Sequence, residues 1–271
     1  MKPVLFNIGP LPISAFGLFL LLAFWLGISM ARRRSGAVGI DSNTMLDVAL
    51  YMIIAGIVGG RIGYVLVNLP AFAAQVSTDP LAPLKIWKDA GLTFYGALAG
   101  ATAVAWLYAR ARRLSLARFL DAITPGLAAG YAVAMIGALL HGLFRGKPSG
   151  VPWHVRMLPD FELRHPTQIY LLIAALGIYV VVRRQREAAP GAVVLIFLFL
   201  HAVSRFVVEF FVESPLLLGP LTMAQVAAAV VGLLSLAGLL LVARRPVAGP
   251  AETAWAGSPP PVSPPAAPPP A

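Results

Sequence analysis

Apolar residues along this chain come in long runs, and short polar clusters separate them. A helix needs about 20 predominantly apolar residues to cross the hydrocarbon of a bilayer. Seven runs approach that length, at 13–31, 46–69, 92–110, 119–144, 167–184, 191–211 and 221–243. The pattern predicts an all-α, polytopic membrane protein with about seven transmembrane helices. The fourth run is the weakest of them, because Gly126, Gly130, Gly137 and Gly142 lie in it and Pro125 predicts a break or kink. Two of the intervening segments, 70–91 and 145–166, are long and contain Trp87 or Trp153 together with several prolines. They read equally well as arms lying on the membrane surface, where Trp is favoured, or as simple connecting loops. Residues 1–245 form one transmembrane domain on this reading, and the Pro- and Ala-rich stretch 246–271 is predicted to be a disordered tail.

Composition supports the membrane assignment. Hydrophobic residues make up 59% of the 271 and charged residues only 12%. A soluble domain carries roughly 25% charged residues, so most of this chain has no water-facing surface to cover. The net charge of +10 does not point to nucleic acid, since the basic residues are scattered in clusters at the ends of apolar runs. The chain has no cysteine, which excludes disulfides, thiolate metal sites and a cysteine nucleophile of its own. The first run is followed by Arg32, Arg33 and Arg34, the reverse of a signal peptide's charge order, and is expected to be a retained helix.

The basic clusters also orient the chain. With the amino terminus outside, the inner side carries Arg32, Arg33, Arg34, Arg110, Arg112, Arg113, Arg118, Arg183, Arg184, Arg186, Arg244 and Arg245, and the outer side Lys2, Lys85, Lys88, Arg145, Lys147, Arg156 and Arg164. That bias of 12 against 7 favours an outer amino terminus and a cytoplasmic carboxyl terminus.

Arg61 and Arg205 remain inside spans. A charge at mid-bilayer costs about 2.5–3.5 kcal/mol on insertion scales, so such residues are functional candidates. Arg61 lies in Val58-Gly-Gly-Arg-Ile-Gly-Tyr64, whose glycines permit close approach by another helix or a lipid headgroup. Arg205 stands four residues before Glu209, on one helix face, where the two can pair. The alternative is that both arginines snorkel and that the pair is only structural. Their depth favours a site: Arg61, Tyr95, His141, the segment Arg164-His-Pro-Thr-Gln-Ile-Tyr170 and Arg205 all fall in the outer half of their spans. Arginine binds phosphate through two nitrogens and stays charged in a low dielectric, so an anionic phospholipid is the expected ligand. No metal is expected, because His141, His154, His165 and His201 lack ligand spacing, and neither a Ser-His-Asp order nor a phosphate loop stands out.

Four short motifs carry a resemblance to a known family. They are Phe6-Asn-Ile-Gly-Pro10 followed by Phe16-Gly17, Gly59-Gly-Arg-Ile-Gly-Tyr-Val65, Arg164-His-Pro-Thr-Gln-Ile-Tyr170 and Arg205-Phe-Val-Val-Glu-Phe-Phe211. In that order, and over residues 3–245, the chain resembles prolipoprotein diacylglyceryl transferase of the bacterial inner membrane. The resemblance implies transfer of the diacylglyceryl group of phosphatidylglycerol to the lipobox cysteine of a preprolipoprotein, with release of glycerol phosphate. It implies no cofactor, and partners that are phosphatidylglycerol, preprolipoprotein signal peptides and the bilayer. The nucleophilic thiol belongs to the substrate, in keeping with a cysteine-free chain.

Several of the family's polar positions are changed. Phe16 stands for a tyrosine, Tyr95 for the histidine of a Phe-His-Gly-Gly run, and Leu171 for a glutamate. Within Ala134-Met-Ile-Gly-Ala-Leu-Leu-His-Gly-Leu-Phe-Arg-Gly146, Met135 replaces an arginine, Ala138 and His141 replace asparagines, and Leu143 replaces a glutamate. One reading is a transferase with a rewired site, in which His141 is the base and Arg145 stands in for the lost arginine. Tyr95 is a poor base near neutral pH, since a free phenol titrates at about 10. The other reading is a degenerate paralogue that binds outer-leaflet lipid or lipoprotein without turnover. A transporter is the less favoured third class, as paired broken helices are not evident. On the transferase reading the catalytic residues are His141, Tyr95, Arg205 and Glu209. The lipid-binding residues are Arg61, Arg205, Arg145, Arg164 and His165, with Glu209 orienting Arg205 and with Arg164 and His165 shaping the outer entrance.

Overall fold

In the computed structural model the described residues are 4–8, 11–76, 79–84, 91–157, 161–185 and 188–244. They form eight α-helices: α1 Ala15–Arg34, α2 Ser42–Val67, α3 Leu69–Val76, α4 Phe94–Ala111, α5 Leu116–His141, α6 Thr167–Arg184, α7 Ala192–Glu209 and α8 Met223–Ala243. Three two-stranded antiparallel hairpins accompany them: β1 Val4–Ile8 with β2 Leu11–Ser14, β3 Val155–Met157 with β4 Glu162–Arg164, and β5 Leu216–Leu218 with β6 Leu221–Thr222. The stretch 246–271, expected to be a tail, lies outside the described residues, as do Trp87, Lys85 and Lys88 of the first long segment.

Six of these helices, α1, α2, α5, α6, α7 and α8, are long and apolar enough to cross a membrane. The seventh expected span is α4, whose 18 residues include Thr102, Tyr108 and Arg110 and are less apolar. It nonetheless runs antiparallel along α2. A side chain on Gly59 would strike the carbonyl of Gly96, and one on Gly100 the carbonyl of Ala55, so the two backbones touch through glycine. The glycines around Arg61 therefore admit a helix.

The expectation that the fourth run is weak or broken is wrong. Helix α5 is continuous through Pro125, and 67% of its central stretch is buried, against 11% for α8. Its small residues are what lets it sit at the centre. A Cβ on Gly126 would come within 2.5 Å of the Gly27 carbonyl, and one on Gly130 within 2.8 Å of that of Ala23, so α1 lies directly on α5. Beside Pro125, the Thr124 hydroxyl of the same helix donates to the Leu120 carbonyl at 2.7 Å. Helix α6 packs on the same central helix and on α7, and α7 packs on α8. Large apolar side chains such as Leu21, Trp25, Leu233 and Leu234 face outward, about two-thirds exposed, as they would against lipid.

Helix starts are set by ordinary caps. Ser14 accepts from the Gly17 amide at 3.0 Å to open α1. Asp41 accepts from Asn43 and Thr44 to open α2, and the Thr44 hydroxyl and amide hold its carboxyl below the usual carboxylate range. Thr222 and Gln225 form a reciprocal capping box at the start of α8.

The two long segments are structured. The first holds α3 and a short 3-10 turn at Ala82–Leu84, the second the β3–β4 hairpin. Trp153, in the second, is 61% exposed and donates its indole N–H to the Tyr170 hydroxyl at 2.8 Å.

The α2–α4 contact yields a stability test. Gly100→Leu should force the two backbones apart and destabilise the protein by about 1–3 kcal/mol or more. Gly177→Leu, where an added Cβ meets nothing within 4 Å, should be close to neutral. Thermal unfolding of the purified variants in detergent reads both, and equal melting temperatures would remove the close-packing account.

Candidate lipid and transfer site

Arg61, Arg164 and Arg205 are buried or half-buried at the same end of the helices, and the chain treats each differently. Arg61, on α2, is only 4% exposed. Its Nε donates to the Pro83 carbonyl at 2.6 Å, Nη1 to Gly91 at 3.2 Å and Nη2 to Ala82 at 3.2 Å. The Tyr64 and Phe72 rings lie 5.4 Å from its guanidinium carbon. Arg61 thus fastens α3 and the segment after it to α2, and none of the partners named here also touches Arg205.

Arg164, at the end of β4, is equally buried. Its guanidinium donates to Glu162, to Glu213 at 2.6 Å and to the Gly146 carbonyl at 3.0 Å. The segment after α5 is trapped by these and by backbone bonds: Lys147 N–H to Phe211 O at 2.8 Å, His165 N–H to Lys147 O at 3.1 Å, and Glu213 N–H to the carbonyl of Arg145 at 2.8 Å. Gly146 must be glycine, since a side chain there would collide with His165. Thr167 and Gln168 complete the hold by donating to the Phe144 and Leu143 carbonyls. Phe144 is pinned at φ 56°, a left-handed conformation uncommon for a non-glycine residue. The Arg164–Tyr170 motif is therefore largely a clasp that fixes the loop following His141. His165 joins it from the side, its Nδ1 3.1 Å from the Tyr170 hydroxyl and its ring 5.0 Å from that of Phe211.

Arg205, on α7, is different. Its Nη2 lies 2.8 Å from Glu209 Oε2, and the Phe144 ring is 5.2 Å from its guanidinium carbon. The pinned loop thus supplies one wall for this cation. Glu209 is 2% exposed, and its other oxygen accepts from the Thr222 hydroxyl at 3.1 Å. Thr222 belongs to the capping box of α8, so the carboxylate that balances Arg205 is anchored by the next helix. Arg205 Nη1 is buried and makes no hydrogen bond. A charged donor without an acceptor in a low dielectric is costly, which makes this nitrogen the natural contact for an incoming anion.

Around Arg205 the polar positions that the family resemblance leads one to expect are apolar, and they are apolar together. Phe16, Met135, Ala138, Leu143 and Leu171 all belong to one hydrophobic cluster from α1, α5, α6 and α7. Two histidines border it. His141, at the end of α5, packs on Phe16 with ring centres 6.4 Å apart, and its Nδ1 is buried without a partner. His201, on α7, meets Tyr131 edge-on at 4.9 Å and stacks on Phe197 at 5.7 Å, and its Nδ1 is likewise unbonded. The sequence reading passed over His201 because it looked only for metal spacing. The usable signal was the repeat of four that places His201, Arg205 and Glu209 on one helical face. Of the other candidates, Arg145 is half-buried beside Gly146. Tyr95 lies in the first turn of α4, with its side chain outside the described residues. Among the described residues no group of three or more His, Cys, Asp or Glu side chains could hold a metal.

Comparison with known proteins identifies the family. The family model described as prolipoprotein diacylglyceryl transferase matches residues 3–242. Phosphatidylglycerol–prolipoprotein diacylglyceryl transferase of Bordetella parapertussis is 33% identical over 232 residues, covering 81% of this chain and 85% of the relative. The protein of the same name from Synechococcus elongatus is 30% identical over 256 residues, 89% of this chain and 87% of the relative. That from Chromohalobacter salexigens is 32% identical over 219 residues, 78% and 79% of the two chains. On both the family match and these identities, the chain belongs to the prolipoprotein diacylglyceryl transferase family.

Proposed function

We propose that this protein transfers the diacylglyceryl group of phosphatidylglycerol to the lipobox cysteine of preprolipoproteins, at the outer face of the bacterial inner membrane. The reading rests on family membership, and the observation that carries it to a site is Arg205. That guanidinium is held by a buried carboxylate through one nitrogen and offers the other, unbonded, beside the pinned loop after α5. The amino terminus faces outward and the carboxyl terminus the cytoplasm on this proposal, from the clustering of arginine at the opposite helix ends.

In the reaction the substrate thiol loses its proton to a base, because the thiolate is the nucleophile. Its sulfur attacks the glyceryl carbon that bears the phosphate. A carbon–sulfur bond forms as the carbon–oxygen bond breaks, and glycerol phosphate leaves with the electron pair. Arg205 stabilises the charge that gathers on the departing phosphate, in a setting where such an interaction is stronger than in water. Glu209 keeps Arg205 in place and, together with Thr222, takes no part in bond making. His141 is the proposed base: its Nδ1 is unbonded, and an imidazole is suited to take a proton near neutral pH. Arg145 stands near the same loop as a second phosphate contact. Arg164 and His165 hold the entrance in shape, and Arg61 fixes the arm after α3.

Purified protein given phosphatidylglycerol and a lipobox peptide should add one diacylglyceryl group to the peptide by mass. His141→Ala should abolish the addition. Addition undiminished in that variant would remove His141 as the base, and addition lost instead in His201→Ala would move the base to α7. Lipid bound without any transfer by the unaltered protein would mean a scaffold that has outlived its chemistry.

A second expectation concerns Arg205. Arg205→Ala should lower the rate of transfer by about 10²–10³, the usual cost of losing a preorganised donor to a developing anion. Glu209→Gln keeps the shape but removes the balancing charge, so it should lower the melting temperature as well as the rate. Unchanged lipid affinity and rate in Arg205→Ala would refute the site.

A further inference from the structure

At the opposite ends of the helices from Arg205, a second cluster of cations surrounds a cavity. Helix α1 ends in Arg32, Arg33 and Arg34, and α6 ends in Arg183 and Arg184. Such residues usually serve the helix dipole and the orientation of the chain, and Arg32 is further used on Ser42 and Asn43. Arg33, Arg34 and Arg183 do more, since they line a cavity of about 250 Å³ whose remaining wall is Met30, Pro125 and Tyr179.

Arg34 and Arg183 are placed there by specific contacts. Arg183 folds back over the Tyr179 ring, 5.6 Å from its centre, which turns the guanidinium toward α1. Arg34 Nη2 reaches across to the Arg183 carbonyl at 3.4 Å and ties the two helix ends together. Among the described residues none of the three has a carboxylate within 4.0 Å, the ion pairs being those of Arg164 and Arg205. Each helix end contributes only about half a negative charge, so three guanidiniums leave a clear positive excess. The floor is Pro125 of the central helix α5, which is buried. The cavity has room for roughly eight water volumes of about 30 Å³ each, enough for a phosphodiester with part of its glycerol.

We infer that this cavity binds the phosphate of an anionic phospholipid from the leaflet opposite the transfer site. Arginine recognises a phosphodiester through paired nitrogens, and basic pockets between helices at the inner surface are suited to lipid headgroups. A lipid fits better than a free phosphate ion. The cavity lies at the level where two spans end, and Met30, Pro125 and Tyr179 give it an apolar wall for the glycerol and upper acyl carbons. The inference does not depend on transfer chemistry, because none of its residues touches Arg205, Glu209 or His141 among the described contacts.

The test is native mass spectrometry of the full-length protein in detergent, titrated with phosphatidylglycerol or phosphatidylcholine. Neutralising the cluster would also disturb the charge bias that sets topology, so Arg33, Arg34 and Arg183 are replaced together by lysine. Lysine keeps the charge and loses the paired donors. The expected result is that the protein carries two phosphatidylglycerols, that Arg205→Ala removes one, and that the lysine variant holds the other about tenfold more weakly. Arg183→Gln alone, which leaves α1 untouched, should weaken the same lipid and no other. Equal binding of phosphatidylglycerol by the unaltered and lysine proteins would overturn the inference, and so would equal retention of phosphatidylcholine. Displacement of the lipid by inorganic phosphate at comparable concentration would show an ion site and overturn it too.

Discussion

A charge held away from water must be given its partners by the chain itself, and one end of this helix bundle is arranged around that requirement. Three guanidiniums are drawn out of solvent there, and each receives a different answer. Backbone carbonyls surround Arg61, so the arm after α3 is folded down upon it. Two carboxylates and a carbonyl surround Arg164, so the loop after α5 is drawn against α7 and β4. Arg205 receives one carboxylate and keeps a nitrogen unbonded. The first two spend their terminal nitrogens on the chain itself. The third keeps one terminal nitrogen unbonded, and on the function proposed above that nitrogen is what meets the lipid phosphate.

The apolar cluster beside Arg205 follows the same logic in reverse. A buried polar network is stable when all its members are satisfied and is worse than an apolar core when some are not. Phe16, Met135, Ala138, Leu143 and Leu171 come from three helices and one loop, yet they meet in one patch. Among the polar groups around that patch with a buried, unbonded atom are His141, His201 and Arg205.

The spans were legible in the sequence because a run of about 20 apolar residues admits few other structures. Helix α6 begins and ends where its pattern predicted, and the other ends differ by a few residues. What the sequence misjudged was α5. Glycine and proline read as weakness in an isolated helix, but here Gly126 and Gly130 are contact points for α1, a tertiary fact that no local pattern contains. The pairing of Arg205 with Glu209 was legible from spacing alone. That Arg61 spends its nitrogens on the carbonyls of Ala82, Pro83 and Gly91 was not, because depth in the membrane fixes only one coordinate of three. Nor could the sequence reveal that the Arg164 motif spends its polar groups on the chain's own carbonyls, since those acceptors come from distant segments.

The hydroxyl of Thr222 does two things at once: it opens α8 and it answers the carboxylate of Glu209. During synthesis α7 leaves the ribosome first, and its ion pair then faces the bilayer lacking that donor. Only the arrival of the next segment completes the set. The carboxylate of α7 is thus fully partnered only when α8 is in place, and the last two spans are coupled through it.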